Sequence, residues 1–132
     1  MEKKFLNEIE FETRWVDMDA YQHINNARYF DAASEARVKL FNGIRPEDMP
    51  CQIVLVESSC NFKRPFFHPD FMLVKQYLLE IGRASFTLEY EFYSKNHPGI
   101  IHAEAFAKMV CYDSVKKKAI GIPEVILQVL HR

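Results

Sequence analysis

The sequence predicts an α+β protein built around one antiparallel sheet. One long helix-compatible segment, residues 26–42, follows a single strand and a polar loop, and four long strand-like segments are gathered after Pro50. Strands gathered after one helix, rather than alternating with helices, are typical of an antiparallel sheet. A sheet of about five strands can wrap that helix, but its outer face would stay exposed. We therefore expect a homodimer or a homotetramer (a dimer of dimers).

The first part of the chain predicts a strand, a loop and the helix. Apolar and polar residues alternate from residue 9, with one face formed by Ile9, Phe11, Thr13 and Trp15. Residues 16–25 are too polar for a core strand and lack helical periodicity, which indicates a loop. Asn25 is a good N-cap for a helix over residues 26–42, and Gly43 is a natural stop after it. The helix has a core-facing stripe at helical spacing, formed by Tyr29, Ala33, Ala36 and Leu40.

The second part of the chain predicts four strands and a short helix. The strands are expected at residues 52–63, 71–81, 84–94 and 100–112. Residues 82–83 look like a tight connection, and residues 96–99 and 113–117 look like turns. A short terminal helix is expected from Pro123, because proline suits the first turn of a helix.

Composition limits the class of protein. The chain has 132 residues, which favours a single domain over residues 1–132. Hydrophobic residues make up 48% and charged residues 27%, as in ordinary globular proteins. The formal net charge of −1 argues against a generally basic nucleic-acid binder. No apolar run approaches the roughly 20 residues that cross a bilayer, so no membrane span is expected.

The three cysteines are interpreted as reduced thiols. The number of cysteines is odd, and the spacing of Cys51, Cys60 and Cys111 fits no zinc-binding pattern. No secretory signal precedes them. The histidines His68, His97, His102 and His131 show no metal-ligand spacing either. We therefore expect a cytoplasmic protein without a metal site, in which the cysteines act as small buried hydrophobic residues.

The stretch from Arg14 to Tyr29 carries the most chemical information. It gathers two acidic residues, a histidine and two asparagines just before the helix, namely Asp17, Asp19, His23, Asn25 and Asn26. The first backbone N–H groups of a helix have no intrahelical partner. A carboxylate beside such N–H groups suits acyl transfer, because the N–H groups can stabilise the negative charge that develops on a carbonyl oxygen.

The order of elements and this motif together resemble the hotdog-fold thioesterases. The carrying residues are the string Asp17-Met-Asp-Ala-Tyr-Gln-His-Ile-Asn-Asn-Ala-Arg-Tyr29, then Glu35-Ala-Arg37, Asn61-Phe-Lys-Arg-Pro65 and Asp70. The chain is most similar to the 4-hydroxybenzoyl-CoA thioesterase-like group and, within it, to bacterial long-chain acyl-CoA thioesterases. The resemblance implies a hotdog fold, in which an antiparallel sheet of about five strands wraps one long helix.

The resemblance also implies roles for two residues. Asp19 would carry catalysis, and the backbone N–H of Asn26 would polarise the thioester carbonyl. The substrate would be an acyl-CoA, and no cofactor is expected because coenzyme A is part of that substrate. The chemistry of Asp19 allows either a general base acting on water or a nucleophile that forms a mixed anhydride. Plant acyl-carrier-protein thioesterases have an Asn two residues after the Asp, where this chain has Tyr21, so their Asn-dependent arrangement is not carried over.

Several neighbouring residues have two interpretations each. Asp17 is expected to fix the loop through Arg14 or a backbone N–H. His23 either orients the carboxylate, binds the thioester oxygen or relays a proton, or it bonds the loop backbone. Tyr29 either packs in the core or lines an acyl pocket.

Two basic residues are candidates for substrate binding. Lys63 and Arg64 either contact the phosphates of coenzyme A or are solvated charges at a strand end. Two rival functions remain at this point: a thioesterase acting on acyl-carrier protein, and a non-catalytic acyl-binding module. The presence of both Asp19 and His23 argues against the second.

Overall fold

The computed structural model describes residues 2–132 as a curved sheet that holds a long helix on its inner face. The strands are β1 (Lys4–Glu12), β2 (Gln52–Phe62), β3 (Phe71–Ile81), β4 (Ser85–Ser94), β5 (Ile101–Asp113) and the two-residue β6 (Lys118–Ala119). The helices are α1 (Asn26–Leu40) and α2 (Glu124–Leu130), and short 3-10 turns lie at Trp15–Asp17 and Pro46–Asp48.

The strand order confirms the predicted α+β class. Every strand pairing is antiparallel, in the order β1-β3-β4-β5-β2, and β6 adds to the end of β5. The four predicted long strands appear within one or two residues of their expected bounds. β6 was not predicted, because two residues are too short to show an alternating pattern.

The prediction that Trp15 belongs to the first strand, on one face with Ile9, Phe11 and Thr13, is wrong. The first strand ends at Glu12, and Trp15 starts the 3-10 turn with 74% of its surface exposed. The backbone N–H of Arg14 donates to the Asp17 carboxylate at 2.9 Å, which turns the chain away from the sheet. The alternating sequence pattern therefore continues to Trp15, three residues beyond the end of the strand.

Small side chains line the space between α1 and the sheet. Its buried face includes Ala32, Ala33 and Ala36, and the facing part of β5 contributes Ala103, Ala105 and Ala107. A polar link joins the two layers. The hydroxyl of Tyr90 donates to Gln76 Oε1 at 2.5 Å, and Gln76 Nε2 donates to the Ala36 carbonyl at 3.2 Å. Because these groups are buried, the bonds fix where α1 sits over the sheet.

β2 lies at one edge of the sheet and is the most exposed of the long strands. Leu55, Val56 and Phe62 of this strand are exposed hydrophobic residues. An exposed apolar edge strand offers unpaired backbone groups to another chain. None of the helices within residues 2–132 is long and apolar enough to cross a membrane.

Candidate active site

The loop before α1 is closed by backbone hydrogen bonds around Asp19. The N–H of Asp19 donates to the His23 carbonyl at 2.7 Å, and the N–H of Gln22 donates to the Asp19 carbonyl at 3.1 Å. Gln22 completes the turn with a φ of 64°, a left-handed conformation that is uncommon outside glycine. The N–H of Ile24 donates to the Phe66 carbonyl at 2.7 Å, which fastens the end of the loop to the segment after β2.

The Asp19 carboxylate is anchored through one oxygen only. Its Oδ1 accepts hydrogen bonds from the backbone N–H groups of Tyr21 at 2.9 Å and His23 at 3.2 Å. Its Oδ2 accepts none from residues 2–132, and the residue is exposed. Anchoring one oxygen orients the carboxylate and leaves the other oxygen available to a reactant.

The start of α1 offers one free backbone donor. Asn25 is the predicted N-cap, and its Oδ1 accepts from the Ala27 N–H at 2.9 Å. The Arg28 N–H donates to the Asn25 carbonyl at 2.9 Å. Of the first three amides of the helix, only that of Asn26 has no acceptor within residues 2–132. It lies at the positive end of the helix dipole, which favours an anionic acceptor.

Asp17 is a buried structural carboxylate, as the sequence predicted. Only 5% of its surface is exposed, and Arg14 binds it through Nη2 at 2.8 Å. The Nε of Arg28, on α1, lies 3.7 Å from its other oxygen. Burial acts to raise the pKa of Asp17, but the hydrogen bonds from Arg14 and the two positive charges hold the pKa below its usual value. Asp17 thus ties the loop to the first turn of α1.

One cleft of about 160 Å³ brings all the predicted site residues together. It is lined by Asp19, His23, Asn26, Tyr29, Lys63 and Arg64, with Ile24, Phe62, Pro65 and Phe66 completing its walls. The first four of these residues come from the motif and α1, and the basic pair comes from the end of β2. The two distant parts of the predicted motif therefore meet in space.

The tyrosine of this cleft packs in the core, which is the first of its two predicted interpretations. Tyr29 is 97% buried and packs edge-on against Phe62 and Phe92, with ring centroids 5.1 and 5.2 Å away. It also lines the cleft. Burial raises the pKa of its hydroxyl, which therefore stays protonated and can only donate or accept a hydrogen bond.

His23 touches Asp19 through its backbone rather than through its ring. The backbone N–H is the Oδ1 donor described above, whereas the imidazole packs edge-on against Phe67 at 5.1 Å between centroids. The ring is partly exposed and lines the cleft.

The two basic residues differ in their partners. Lys63 Nζ forms an ion pair with Glu104 at 2.6 Å. Arg64 is exposed at the cleft and has no acidic partner within residues 2–132. Arg64 is therefore the more available of the two for an anionic ligand.

Comparison with known proteins identifies the family. The model of the thioesterase-like superfamily matches residues 13–130. The chain belongs to this superfamily. It is 27% identical over 120 residues to the long-chain acyl-CoA thioesterase FadM of Escherichia coli (strain K12), with 86% of this chain and 88% of FadM covered. It is 33% identical over 111 residues to a protein of Aquifex aeolicus (strain VF5), with 82% of each chain covered.

The solved structure of a similar protein identifies the fold. The PA2801 protein of Pseudomonas aeruginosa superposes with a TM-score of 0.88 and 29% identity, covering 96% of this chain and 99% of that chain. The predicted hotdog fold and the resemblance to hotdog thioesterases are thereby confirmed. The protein is a thioester hydrolase.

The sequence interpretation missed one residue near Asp19. The sequence spacing excludes His68 as a metal ligand and indicates no other role for it, yet it borders a second cleft of about 660 Å³ that Asp19 also lines. The hydrogen bond that holds its ring comes from Thr13, 55 residues earlier in the chain. No spacing rule links residues so far apart, so the sequence offers no signal for this contact.

Proposed function

We propose that this thioesterase hydrolyses an acyl-CoA to a free acid and coenzyme A, with Asp19 as the general base or the nucleophile. The observation that carries the proposal is the geometry at Asp19. One carboxylate oxygen is fixed by two backbone N–H groups and the other has no hydrogen-bonding partner within residues 2–132; the cleft is also lined by Asn26, whose N–H has no acceptor among the same residues. A base and an oxyanion donor in one cleft are sufficient for hydrolysis of a thioester, because a thiol leaves without strong acid assistance.

The chemistry assigns one step to each group. The thioester oxygen accepts a hydrogen bond from the Asn26 N–H, which strengthens as negative charge develops on that oxygen. As a general base, Asp19 Oδ2 takes a proton from water while the water oxygen bonds to the carbonyl carbon; the carbon–sulfur bond then breaks, and the proton passes from Asp19 to the departing thiolate. As a nucleophile, Asp19 Oδ2 bonds to that carbon itself and the carbon–sulfur bond breaks, which gives a mixed anhydride and a thiolate; water then hydrolyses the anhydride to the free acid and the Asp19 carboxylate, and the proton released goes to the thiolate. His23 assists from the wall of the cleft.

Arg64 and Lys63 bind the phosphates of coenzyme A in this proposal. A guanidinium fork matches phosphate oxygens, and Arg64 is exposed at the cleft without an acidic partner in the described part of the chain. Lys63 already forms an ion pair with Glu104, so we expect it to contribute less to binding of the phosphates. The polar end of the substrate then lies at the surface, and no cofactor besides the substrate's own coenzyme A takes part.

The acyl chain runs beside α1 in this proposal. Two further cavities, of about 150 and 320 Å³, lie between α1, β2 and β5. Their apolar walls include Phe30, Ala33, Val38, Leu55, Ala105 and Met109. Tyr29 of the catalytic cleft and Phe30 of the smaller cavity are consecutive residues of α1, so the cleft and this cavity border the same helix. From Asn26 to Val38 the helix rises about 18 Å, which is room for a long acyl group.

A second copy of the chain covers this groove in the proposed assembly. The exposed edge of β2 and the exposed side chains of Leu55, Val56 and Val38 support a homodimer formed along β2, with the active site at the subunit interface. Two such dimers would form the homotetramer. Dimers or tetramers in sedimentation at micromolar concentration would support this assembly, and monomers that hydrolyse acyl-CoA at full rate would overturn it.

Release of free thiol from a panel of acyl-CoAs tests the function. The panel varies chain length and includes aromatic acyl groups, and the same acyl group is also presented on acyl-carrier protein. We expect saturable hydrolysis of at least one acyl-CoA, at a higher kcat/KM than with acyl-carrier protein. Absence of hydrolysis for every acyl-CoA, or a clear preference for the protein carrier, would contradict the proposal.

A further inference from the structure

The imidazole of His68 is held in one tautomer by Thr13. Three contacts meet at Thr13 Oγ1: His68 Nδ1 lies 2.7 Å away, the Asp70 carbonyl 2.9 Å away and the Asp70 N–H 2.9 Å away. The Asp70 N–H must donate to Oγ1. The Asp70 carbonyl also accepts from the Thr13 N–H at 2.9 Å, and its 2.9 Å contact with Oγ1 is favourable only when the single hydroxyl proton of Thr13 lies between the two oxygens. The remaining lone pair of Oγ1 accepts from His68, which requires the proton to be on Nδ1.

The support behind Thr13 is itself fixed. The Asp70 carboxylate is buried and accepts hydrogen bonds from the Phe71 N–H at 2.6 Å, the Asn96 N–H at 3.2 Å and the Ser94 hydroxyl. These partners belong to the start of β3, the end of β4 and the turn after β4, so the sheet holds the ring of His68 in place. Such anchoring through outer partners is typical of histidines that must present one nitrogen accurately.

The other ring nitrogen of His68 is left as an acceptor. With Nδ1 protonated, Nε2 carries a lone pair in the neutral ring, and it has no hydrogen-bonding partner within residues 2–132. The ring borders the 660 Å³ cleft, whose lining residues are Trp15, Val16, Met18, Asp19, Gln22 and His68. Asp19 is the only residue that this cleft shares with the substrate cleft.

We infer that the second cleft supplies the hydrolytic water to Asp19 and that His68 positions this water. The inference rests on the proposed function and takes Asp19 as the general base. Water in the cleft donates one hydrogen to Asp19 Oδ2 and the other, directly or through a second water, to His68 Nε2. Its oxygen then attacks the thioester carbon, the first proton passes to Asp19 and later to the departing thiolate, and His68 keeps its own proton throughout.

Variants of His68 and Thr13 test the inference in the full-length enzyme. His68→Leu removes the acceptor, and we expect kcat for the best acyl-CoA to fall about tenfold or more while KM changes less than about twofold. Thr13→Val frees the ring and should lower kcat in the same way, whereas Thr13→Ser keeps the hydroxyl and should restore it. His131→Leu, at an exposed histidine beyond α2, is the matched control and should leave both constants unchanged.

Hydroxylamine separates positioning of water from a merely structural role. It attacks thioesters without needing an ordered water, so its reaction in His68→Leu should be impaired less than hydrolysis. An equal loss of both reactions, or an unchanged kcat in His68→Leu, would overturn the inference. If the Asp19→Asn variant is inactive and the His68→Leu variant is fully active, this inference alone is overturned. If the wild-type enzyme is inactive on every acyl-CoA, the proposed function is overturned.

Discussion

Asp19 and His23 are joined by two reciprocal hydrogen bonds. The Asp19 N–H donates to the His23 carbonyl at 2.7 Å, and the His23 N–H donates back to Asp19 Oδ1 at 3.2 Å. The backbone of His23, rather than its ring, therefore orients the carboxylate. It follows that substitutions of the His23 side chain should leave the position of Asp19 intact, whereas changes to the turn between them should not.

The turn is strained at Gln22, and glycine should relieve it. Gln22 has a φ of 64°, where a side chain costs roughly 1 kcal/mol relative to glycine. We expect Gln22→Gly to raise the free energy of unfolding by up to about 1 kcal/mol, measured by urea denaturation. Gln22→Ala is the control and should give no gain, because alanine keeps the steric conflict. A loss of stability in Gln22→Gly beyond that of Gln22→Ala would contradict this account.

Removing the helix cap should weaken α1 at the site. Asn25→Ala deletes the bond to the Ala27 N–H, and loss of an N-cap costs about 1 kcal/mol of unfolding free energy. Asn25→Asp keeps the acceptor and should retain stability. Asn42→Ala, at an exposed position just after α1, is the matched control in the same urea titration. Equal stability of Asn25→Ala and Asn42→Ala would show that the cap contributes nothing.

Arg64 should affect affinity for the coenzyme rather than chemistry. We expect Arg64→Ala to raise KM for acyl-CoA about tenfold, the loss of one charge-assisted hydrogen bond, with little change in kcat. The same variant should not change KM for the acyl thioester of N-acetylcysteamine, which lacks phosphates. Arg45→Ala removes an exposed arginine remote from the cleft lining and should have no effect. A parallel rise in KM for both substrates would remove Arg64 from phosphate binding.

Asp17 should make the protein sensitive to acid. Its pKa is lower in the folded protein than in the unfolded chain, so its stabilising contribution is complete above the ordinary carboxyl pKa of about 4 and is lost as pH falls through the folded value. Asp17→Asn should therefore be less stable at pH 7 by roughly 1–3 kcal/mol, and the difference from wild type should shrink below about pH 4. Asp48→Asn, at an exposed turn, is the control. A difference that stays constant from pH 7 to pH 3 would contradict the assignment.

Much of the fold could be predicted because its signals are local. The cap at Asn25, the small apolar stripe of α1 and the alternation along β3 and β4 each lie within one stretch of sequence. Trp15 was placed wrongly because alternation alone does not reveal where Arg14 and Asp17 turn the chain. The strand order could not be predicted from the sequence, since β1 pairs with β3 across about 60 to 74 residues.

In the candidate site, too, residues that are neighbours in the sequence could be predicted, whereas contacts between distant segments could not. Asp19, His23 and Asn26 form one continuous motif, and their residue types suffice to indicate the chemistry. The meeting of Arg64 with that motif, and the hydrogen bond of His68 with Thr13, depend on how the sheet brings separate segments together.

Single-turnover hydrolysis by Asp19→Asn tests the central claim most directly. The enzyme is mixed in excess with the best acyl-CoA, and thiol release is followed in wild type, Asp19→Asn and the exposed control Asp48→Asn, with substrate binding measured separately by titration. We expect Asp19→Asn to bind the substrate but to release thiol about 10²- to 10⁴-fold more slowly, with the control equal to wild type. Thiol release by Asp19→Asn at the wild-type rate would contradict the account.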